Sequence, residues 1–238
     1  MSGRREVSVS DLAELTGVSA VTIRRDLVDL EAHGALTRTH GGARQAPKRG
    51  NPQPFSVRLE NDVADKEALA EVAAGLVEDH DSVIVDNGTT CAAVARRLAG
   101  RPVTALALSL HAAAALASRP GAYVTVPGGP VETDSLAMTV GGLTAVRAVR
   151  ADVAVLGACS ASASHGLTST TYEDAELKRA VIQASSRVVL VASADKLTRS
   201  STFQFARPDE LTHLVTTRGA PDDLLDVFRD EGVVVHLC

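Results

Sequence analysis

The sequence contains no tryptophan, and its aromatic residues amount to only 3% of the chain. Because 45% of the residues are nevertheless apolar, a core has to be built from alanine, valine and leucine. No apolar run approaches the roughly 20 residues that a membrane-spanning helix needs. The first residues also lack the hydrophobic region of a signal peptide. The sequence therefore predicts a soluble cytoplasmic protein with no membrane partner.

Cysteine is scarce as well. Cys91, Cys159 and Cys238 are odd in number and far apart, which argues against a disulfide framework or a zinc site and fits a reducing compartment. His111 and His165 have no cysteine or histidine neighbour at metal-binding spacing. The sequence also lacks the motifs G-x-x-x-x-G-K-[ST], G-x-G-x-x-G after a strand, H-E-x-x-H and G-x-S-x-G. We therefore expect no metal, no cofactor and no enzymatic activity.

Positive charge is in deficit, since the formal net charge is −5, and this alone speaks against nucleic-acid binding. The charge is unevenly distributed, however. Residues 1–49 carry a net charge of +2 and the remainder −7. A mildly basic N-terminal segment followed by an acidic remainder is typical of a small DNA-binding module attached to a larger domain.

Residues 17–31 are predicted to form a tight turn followed by a DNA-contacting helix. Ser19 is suited to cap that helix. Ile23, Leu27 and Leu30 recur at i, i+4 and i+7 and form one apolar stripe. An earlier helix over residues 11–15, with Ser10 as its expected cap, completes a helix-turn-helix pattern.

The opposite face of the second helix carries Val21, Thr22, Arg25 and Asp29, with Arg24 on its flank. An amphipathic helix with arginines near its start suits insertion into the major groove. A solvated surface helix, whose arginines pair with Asp26 and Asp29, is the alternative.

Apolar and polar residues alternate over 36–43 up to a Gly-Gly pair, which predicts a small hairpin or wing. Arg38 and His40 would face DNA phosphates from this hairpin. An ordinary hairpin that closes a small core is the alternative, and both interpretations can hold together. Over residues 44–61 periodicity is lost, and three prolines with a glycine indicate a linker.

The rest of the chain alternates between apolar strands and amphipathic helices. This pattern predicts an α/β fold with a mostly parallel sheet covered on both faces. Strands are expected at 82–85, 103–108, 122–126, 152–156, 188–192, 213–216 and 233–237, and helices at 66–77, 90–98, 110–117, 174–185 and around 224–228.

Ligands of such sheets bind at the carboxyl ends of the strands, against helix N-termini. Residues 86–90, Asp-Asn-Gly-Thr-Thr, follow a buried strand and open a helix, so the free amides could hold a phosphate. A plain helix cap by Thr89 is the alternative. Gly128-Gly129 follows another predicted strand, and Lys178 and Lys196 are candidates to supply positive charge.

Nearly the whole chain resembles the DeoR family of bacterial transcription regulators. The N-terminal match rests on Val18, Ser19, Thr22, Ile23, Arg24, Arg25, Asp26, Leu27, Leu30, Glu31, Gly34, Leu36, Arg38, His40, Gly41, Gly42 and Ala43. The remainder is similar to the family's sensor domain at Phe55, Arg58, Lys66, Asp86, Gly88, Thr89, Thr90, Ser109, Gly128, Gly129, Gly141, Gly157, Gly166, Leu167, Thr168, Lys178, Arg179 and Lys196.

The resemblance implies a winged helix-turn-helix domain over 1–45, a linker over 46–61 and an effector-sensing domain over 62–238. It relates the sensor fold to ribose-phosphate isomerases and CoA transferases. It further implies a homo-oligomeric repressor of carbohydrate genes that binds double-stranded operator DNA and is relieved by a phosphorylated sugar or polyol. A sugar-phosphate isomerase or transferase with the same fold is the alternative.

The resemblance assigns residues to both sites. DNA binding falls to Ser19, Thr22, Arg24, Arg25, Arg38 and His40. Effector binding falls to Asp86, Gly88, Thr89, Thr90, Ser109, Gly128, Gly129, Gly141, Lys178 and Lys196.

The chain also departs from the family pattern. Only about six residues precede the segment 7–9, where the family has a further apolar helix. We therefore expect the first helix to be missing or shortened and the apolar stripe of the next helix to be half uncovered. A regulator that acts only through protein contacts would be one outcome. In the sensor, Ala107-Leu108, Ser193 and Cys91 replace polar residues of the family, which predicts fewer polar groups around the effector.

Overall fold

The computed structural model describes residues 6–32, 36–39, 41–45, 54–162 and 165–238. The chain forms two compact units, Met1–Asn51 and Pro52–Cys238, which we call the N-terminal and the C-terminal unit. His40, which we expect to contact DNA, lies outside the described residues. In the part of the chain that the structure describes, no helix is both long enough and apolar enough to cross a membrane.

The N-terminal unit combines two helices with a small antiparallel sheet. Its elements are β1 (Glu6–Ser8), α1 (Val9–Thr16), α2 (Ala20–Ala32), β2 (Leu36–Thr39) and β3 (Gly42–Gln45). The strand order is β1-β3-β2, and both pairings are antiparallel. The predicted helix-turn-helix followed by a hairpin is confirmed.

The cap of helix α1 lies two residues earlier than expected, at Ser8. The Ser8 hydroxyl accepts from the Asp11 amide at 3.0 Å, and the Asp11 carboxylate accepts from the Ser8 amide at 3.3 Å. The prediction that Ser10 caps this helix was wrong, because Ser8, at the end of β1, has the extended backbone that an N-cap needs. The helix ends at Gly17, whose φ of 71° is left-handed.

The small core of this unit covers most of the apolar stripe of α2. Ile23 and Leu27 are buried, with 7% and 5% of their surface exposed, whereas Leu30 is 45% exposed. Ala43 of the hairpin is buried in the same cluster, which Val9, Leu12, Ala13 and Leu36 surround. The stripe is therefore better covered than expected, because α1 and the hairpin close over its first two turns.

The C-terminal unit contains a seven-stranded sheet in which every pairing is parallel, in the order β13-β12-β10-β7-β4-β5-β6. Its strands are β4 (Ser82–Val85), β5 (Thr104–Ala107), β6 (Tyr123–Thr125), β7 (Ala151–Gly157), β10 (Ser185–Val191), β12 (His213–Thr216) and β13 (Val234–Leu237). The helices are α3 (Phe55–Glu60), α4 (Val63–Gly75), α5 (Thr89–Leu98), α6 (Leu110–Leu116), α7 (Thr139–Arg147), α8 (Tyr172–Gln183) and α9 (Asp222–Asp230).

Helices cover both faces of this sheet. Successive side chains of a strand point to opposite faces, so Ile84 joins one apolar cluster while Val83 and Val85 join another. The first cluster contains side chains of α8 and α9, and the second contains side chains of α4 and α5. The predicted α/β class is therefore confirmed.

Three features differ from the sequence prediction. Helix α3 lies inside the stretch that we expected to be linker, and its Phe55 is only 3% exposed. Helix α7 was not predicted, since its Gly141-Gly142 pair is a poor helix signal. A small antiparallel sheet, in the order β11-β9-β8, was missed because its strands have only three or four residues each: β8 (Ser160–Ser162), β9 (Gly166–Ser169) and β11 (Phe203–Ala206).

Candidate functional site

Helix α2 exposes two arginines to solvent, beside the exposed side chain of Val21. The Ser19 hydroxyl accepts from the Thr22 amide at 3.3 Å, and the two hydroxyls lie 2.9 Å apart, so Ser19 caps the helix as predicted. Arg24 and Arg25 are exposed. Within the described ranges neither arginine forms an ion pair, and the alternative in which they pair with aspartates of their own helix gains no support. Arg38 is exposed on β2.

All strands of the large sheet run in one direction, so their carboxyl ends meet at one edge. Asp86 follows β4 at this edge and is fully buried, as is the Lys178 ammonium group on α8. Lys178 pairs with Asp86 and with Asp174, whose carboxylate lies 3.3 Å from the ammonium. The two predicted effector residues Asp86 and Lys178 therefore contact each other directly.

Further donors hold the two carboxylates. The Gly157 amide donates to Asp86 at 3.1 Å, and the Asn87 amide group donates to Asp174 at 2.9 Å and to Asp86 at 3.2 Å. Ser169 also donates to Asp174. This network fixes the loop that follows β4 to the first turns of α8.

Burial and charge oppose each other in this cluster. Burial raises the pKa of Asp86, although Lys178 counteracts it. Burial would also raise the pKa of Asp174, but Lys178, Ser169 and Asn87 outweigh it and hold that pKa below its usual value. The two aspartates raise the pKa of Lys178 despite its burial. The lysine is thus held as a cation, compensated by its neighbours.

The start of α5 has the geometry of an anion-binding turn. Gly88 precedes the helix with a φ of 104°, and no side chain caps the first turn. Thr89 lies inside the helix, so the alternative in which Thr89 acts as a plain cap was wrong. No atom lies within 4 Å of the position that a Cβ of Gly88 would occupy, which leaves room for a ligand beside the free amides.

Lys196 is the most distinctive cation near this edge. It lies in the turn after β10 (Ala194–Lys196), and burial lowers its pKa, with Arg58 acting in the same direction and Asp195 against it. Burial also lowers the pKa of Lys66, and Lys196 and Arg58 add to that effect. In the described part of the chain, Lys196 forms no ion pair. Arg58, Lys66 and Lys196, which we call the cation cluster, therefore lie within electrostatic reach of one another.

The remaining predicted effector residues have visible structural roles. Ser109 is buried and caps α6, since its hydroxyl accepts from the Ala112 amide at 3.2 Å. A Cβ on Gly141 would lie 1.5 Å from the Gly128 carbonyl oxygen, and one on Gly129 would lie 3.6 Å from Gly141. These glycines therefore pack the loop after β6 against α7.

Sequence reasoning left several residues of this edge out of the site. Asp174 carried a usable signal, because Thr171 three residues earlier caps α8 and Lys178 lies one turn later. Arg58 and Lys66 were noted only as points of resemblance. Nothing in the sequence indicated that Ser169 or Gly157 would hold the buried aspartates.

A winged helix-turn-helix unit followed by a parallel α/β unit is typical of transcription regulators that carry a sensor domain. The model of the "DeoR C terminal sensor domain" matches residues 61–218, and that of the "DeoR-like helix-turn-helix domain" matches residues 2–49. The chain belongs to the DeoR family. The predicted family is therefore confirmed.

Individual relatives agree with this assignment. The chain is 31% identical to the HTH-type transcriptional repressor GlcR of Bacillus subtilis, over 95% of this chain and 88% of that protein. It is 27% identical to the glycerol-3-phosphate regulon repressor of Haemophilus influenzae, over 98% of this chain and 91% of that protein. In fold alone, the chain is also similar to the structure of a probable sor operon regulator from Shigella flexneri, with a TM-score of 0.50 at 13% identity, over 69% of this chain and 89% of that one.

Proposed function

We propose that this protein is a repressor of carbohydrate genes that binds operator DNA through α2 and its hairpin and is released by a phosphorylated sugar or polyol. The family membership and the names of the relatives, which are transcriptional repressors, support this role. The DNA contacts would come from Ser19, Thr22, Arg24, Arg25, Arg38 and His40.

The single observation that carries the effector proposal is the open turn at Gly88, where the first turn of α5 has no side-chain cap and where Lys196 acts electrostatically on Cys91. A lysine in the turn after β10, with the free amides of a helix N-terminus at the same edge of the sheet, favours an anionic group over a neutral one. Lys178 would not supply the positive charge for a bound anion, because the carboxylates of Asp86 and Asp174 already compensate its ammonium group. Lys196 is thus the residue that we expect to bind the phosphate directly.

Thermal unfolding in the presence of candidate ligands tests the effector. A ligand at one hundred times its Kd stabilises the folded state by about 2.7 kcal/mol, which raises Tm by several degrees in a chain of this size. We expect that shift with sugar phosphates and polyol phosphates and none with the unphosphorylated compounds. Lys196→Met should abolish it, whereas Arg207→Met, an exposed arginine paired with Asp209, should retain it. Equal shifts for both ligand classes would contradict the proposal.

DNA binding is tested with duplexes selected by the protein from a random library, titrated at two salt concentrations. Each phosphate contact contributes to the salt dependence of the affinity. Arg24→Ala and Arg25→Ala should weaken binding, and a variant that loses a phosphate contact should reduce the salt slope by about one. Arg229→Ala, which removes an equal charge from α9, is the matched control. Affinity without salt dependence, or equal affinity in all variants, would contradict the assignment.

A further inference from the structure

Val21 is the most exposed of the large apolar side chains of α2. It is 73% exposed, whereas Ile23 and Leu27 of the same helix are 7% and 5% exposed. At 100° per residue, Val21 is rotated by about 160° from Ile23 around the helix axis. The side chains of α1 and of the hairpin gather on the side of Ile23, in the cluster that contains Ala43. The packing of this unit therefore directs Val21 to solvent.

Val21 also lies in the first turn of α2. The helix begins at Ala20, and the Ser19 hydroxyl that caps it accepts from the Thr22 amide at 3.3 Å. In helix-turn-helix proteins the first residues of the second helix contact the base edges, because that end of the helix enters the major groove. When α2 binds DNA in this way, Val21 is one of the residues that reach the bases.

Two positive charges flank Val21. Arg24 and Arg25 follow it by three and four residues, and residues at these spacings are neighbours on a helix surface. Both arginines are exposed, and neither forms an ion pair within the ranges that the structure describes. The phosphates of DNA are complementary to this pair of charges. A duplex held by the two guanidinium groups brings the edges of its bases against the apolar side chain between them.

The side chain of Val21 limits which base edge can lie against it. Valine has no hydrogen-bonding group, so a polar base edge that it covers loses water without gaining a partner, which is unfavourable. The C5-methyl group of thymine is the apolar group that base pairs present in the major groove. Contact between this methyl group and Val21 removes apolar surface of both from water, which is favourable.

We propose that Val21 selects for thymine: its two methyl groups pack against the C5-methyl group of a thymine in the operator. Val21 is then a specificity-determining residue, whereas contacts between arginines and phosphates supply affinity without sequence information. This inference rests on the proposed function of α2 as the helix that contacts DNA.

Replacement of thymine by deoxyuridine tests the contact. Deoxyuridine pairs with adenine as thymine does but lacks the C5-methyl group. In duplexes that the full chain has selected from a random library, each thymine is replaced in turn, and Kd is measured at a fixed salt concentration. We expect one replacement, or one symmetric pair of replacements, to weaken binding by about fourfold per methyl group, the value of one buried carbon.

Two variants separate this contact from an effect of uracil on the duplex itself. In Val21→Ala, Kd at the sensitive position should be the same for thymine and uracil, while the salt dependence of Kd stays unchanged because no phosphate contact is lost. Val28→Ala is the matched control. It removes the same two methyl groups from a 46% exposed side chain, about two turns further along the same side of α2, and should keep the fourfold effect.

The outcomes distinguish this inference from the proposed function. With salt-dependent binding intact, the absence of a sensitive thymine, or a uracil effect that persists in Val21→Ala, would overturn the inference alone. Loss of the effect in Val28→Ala would also overturn it, because the methyl group would then not be recognised at the start of α2. A changed sedimentation coefficient of Val21→Ala without DNA would assign Val21 to a contact between copies of the chain and overturn it as well. Duplex binding without salt dependence would overturn both proposals.

Discussion

Lys178 is a buried lysine, and the charge of its ammonium group is tolerated because Asp86 and Asp174 both pair with it. Removing one partner of such a cluster leaves the other charges buried and uncompensated. That loss is far more costly than the loss of a surface ion pair. The residue thus contributes to the stability of the site and not only to its charge.

We expect Lys178→Met to lower the free energy of unfolding by about 3–5 kcal/mol, the usual cost of breaking a buried ion pair. Arg229→Met, which breaks an exposed pair with Asp226, should cost about 1 kcal/mol or less. Urea denaturation of both variants measures the difference. Similar losses in the two variants would show that the buried cluster carries no special energy.

His213 and His236 form a second pair of titratable side chains. The Nδ1 atom of His213 and the Nε2 atom of His236 lie 3.2 Å apart, so one ring must donate and the other accept. Burial lowers the pKa of His213 below its usual 6.5, and the charges of His236 and Arg187 act in the same direction. The folded protein therefore takes up this proton at a lower pH than the unfolded chain does.

Stability should accordingly fall as the pH decreases below about 6.5, because the unfolded state then binds more protons than the folded state. The fall ends once the pH has passed the lower pKa of the folded protein. His213→Asn should reduce this pH dependence between pH 7.5 and 5, as followed by urea denaturation. His80→Asn, at an exposed turn outside the pair, is the control, and an unchanged slope in His213→Asn would contradict the assignment.

At the scale of elements, the fit between α7 and the loop after β6 depends on a missing side chain. A Cβ on Gly141 would meet the Gly128 carbonyl oxygen at 1.5 Å, and that oxygen cannot turn aside because it belongs to the backbone. Overpacking of this kind typically costs 1–3 kcal/mol. The Gly141-Gly142 pair is a weak sequence signal for a helix, and glycine at 141 is required by the close approach of α7 to the loop after β6.

Gly141→Ala should lower Tm by several degrees, whereas Gly75→Ala should keep or raise it. Gly75 is also helical, at the end of α4, but no atom lies within 4 Å of its Cβ position, and alanine is favoured over glycine in a helix by about 1 kcal/mol. Thermal unfolding of the two variants is the measurement. Equal changes in Tm for the two variants would mean that α7 accommodates the added methyl group without strain.

At the scale of the whole molecule, the two units differ greatly in what they bury. Among the described residues, the N-terminal unit has Ile23, Leu27 and Ala43 as its buried apolar side chains, whereas the C-terminal unit has apolar clusters on both faces of its sheet. Since apolar burial is the main source of stability, the DNA-binding unit should be the less stable part.

Hydrogen exchange of the full chain at increasing urea should therefore show that the amides of α2 lose protection at lower urea than those of β4 and β7. Duplex DNA that the protein binds should shift the loss of protection in α2 to higher urea, since a ligand of the folded state stabilises it. Simultaneous loss in both units would indicate that they unfold as one.

Much of the fold could be predicted because its signals are local. Strands β4 and β12 have the predicted bounds, 82–85 and 213–216, since short runs of β-branched and apolar residues indicate buried strands. Helix α3 and the small antiparallel sheet could not be predicted in the same way. Phe55 becomes helical through Asp134 and His111, and β9 pairs with β8 and β11 through its backbone.

The sequence by itself determined the two-part plan, the cap and apolar stripe of α2, and the alternation of helices and strands, because each depends on residues a few positions apart. Only the tertiary structure decided that Lys178 neutralises Asp86, which is 92 positions away, and that the Gly157 amide donates to the same carboxylate. Those contacts follow from the strand order, in which β4 lies next to β7 and β7 next to β10. Strand order is fixed by packing over the whole unit and leaves no local trace in the sequence.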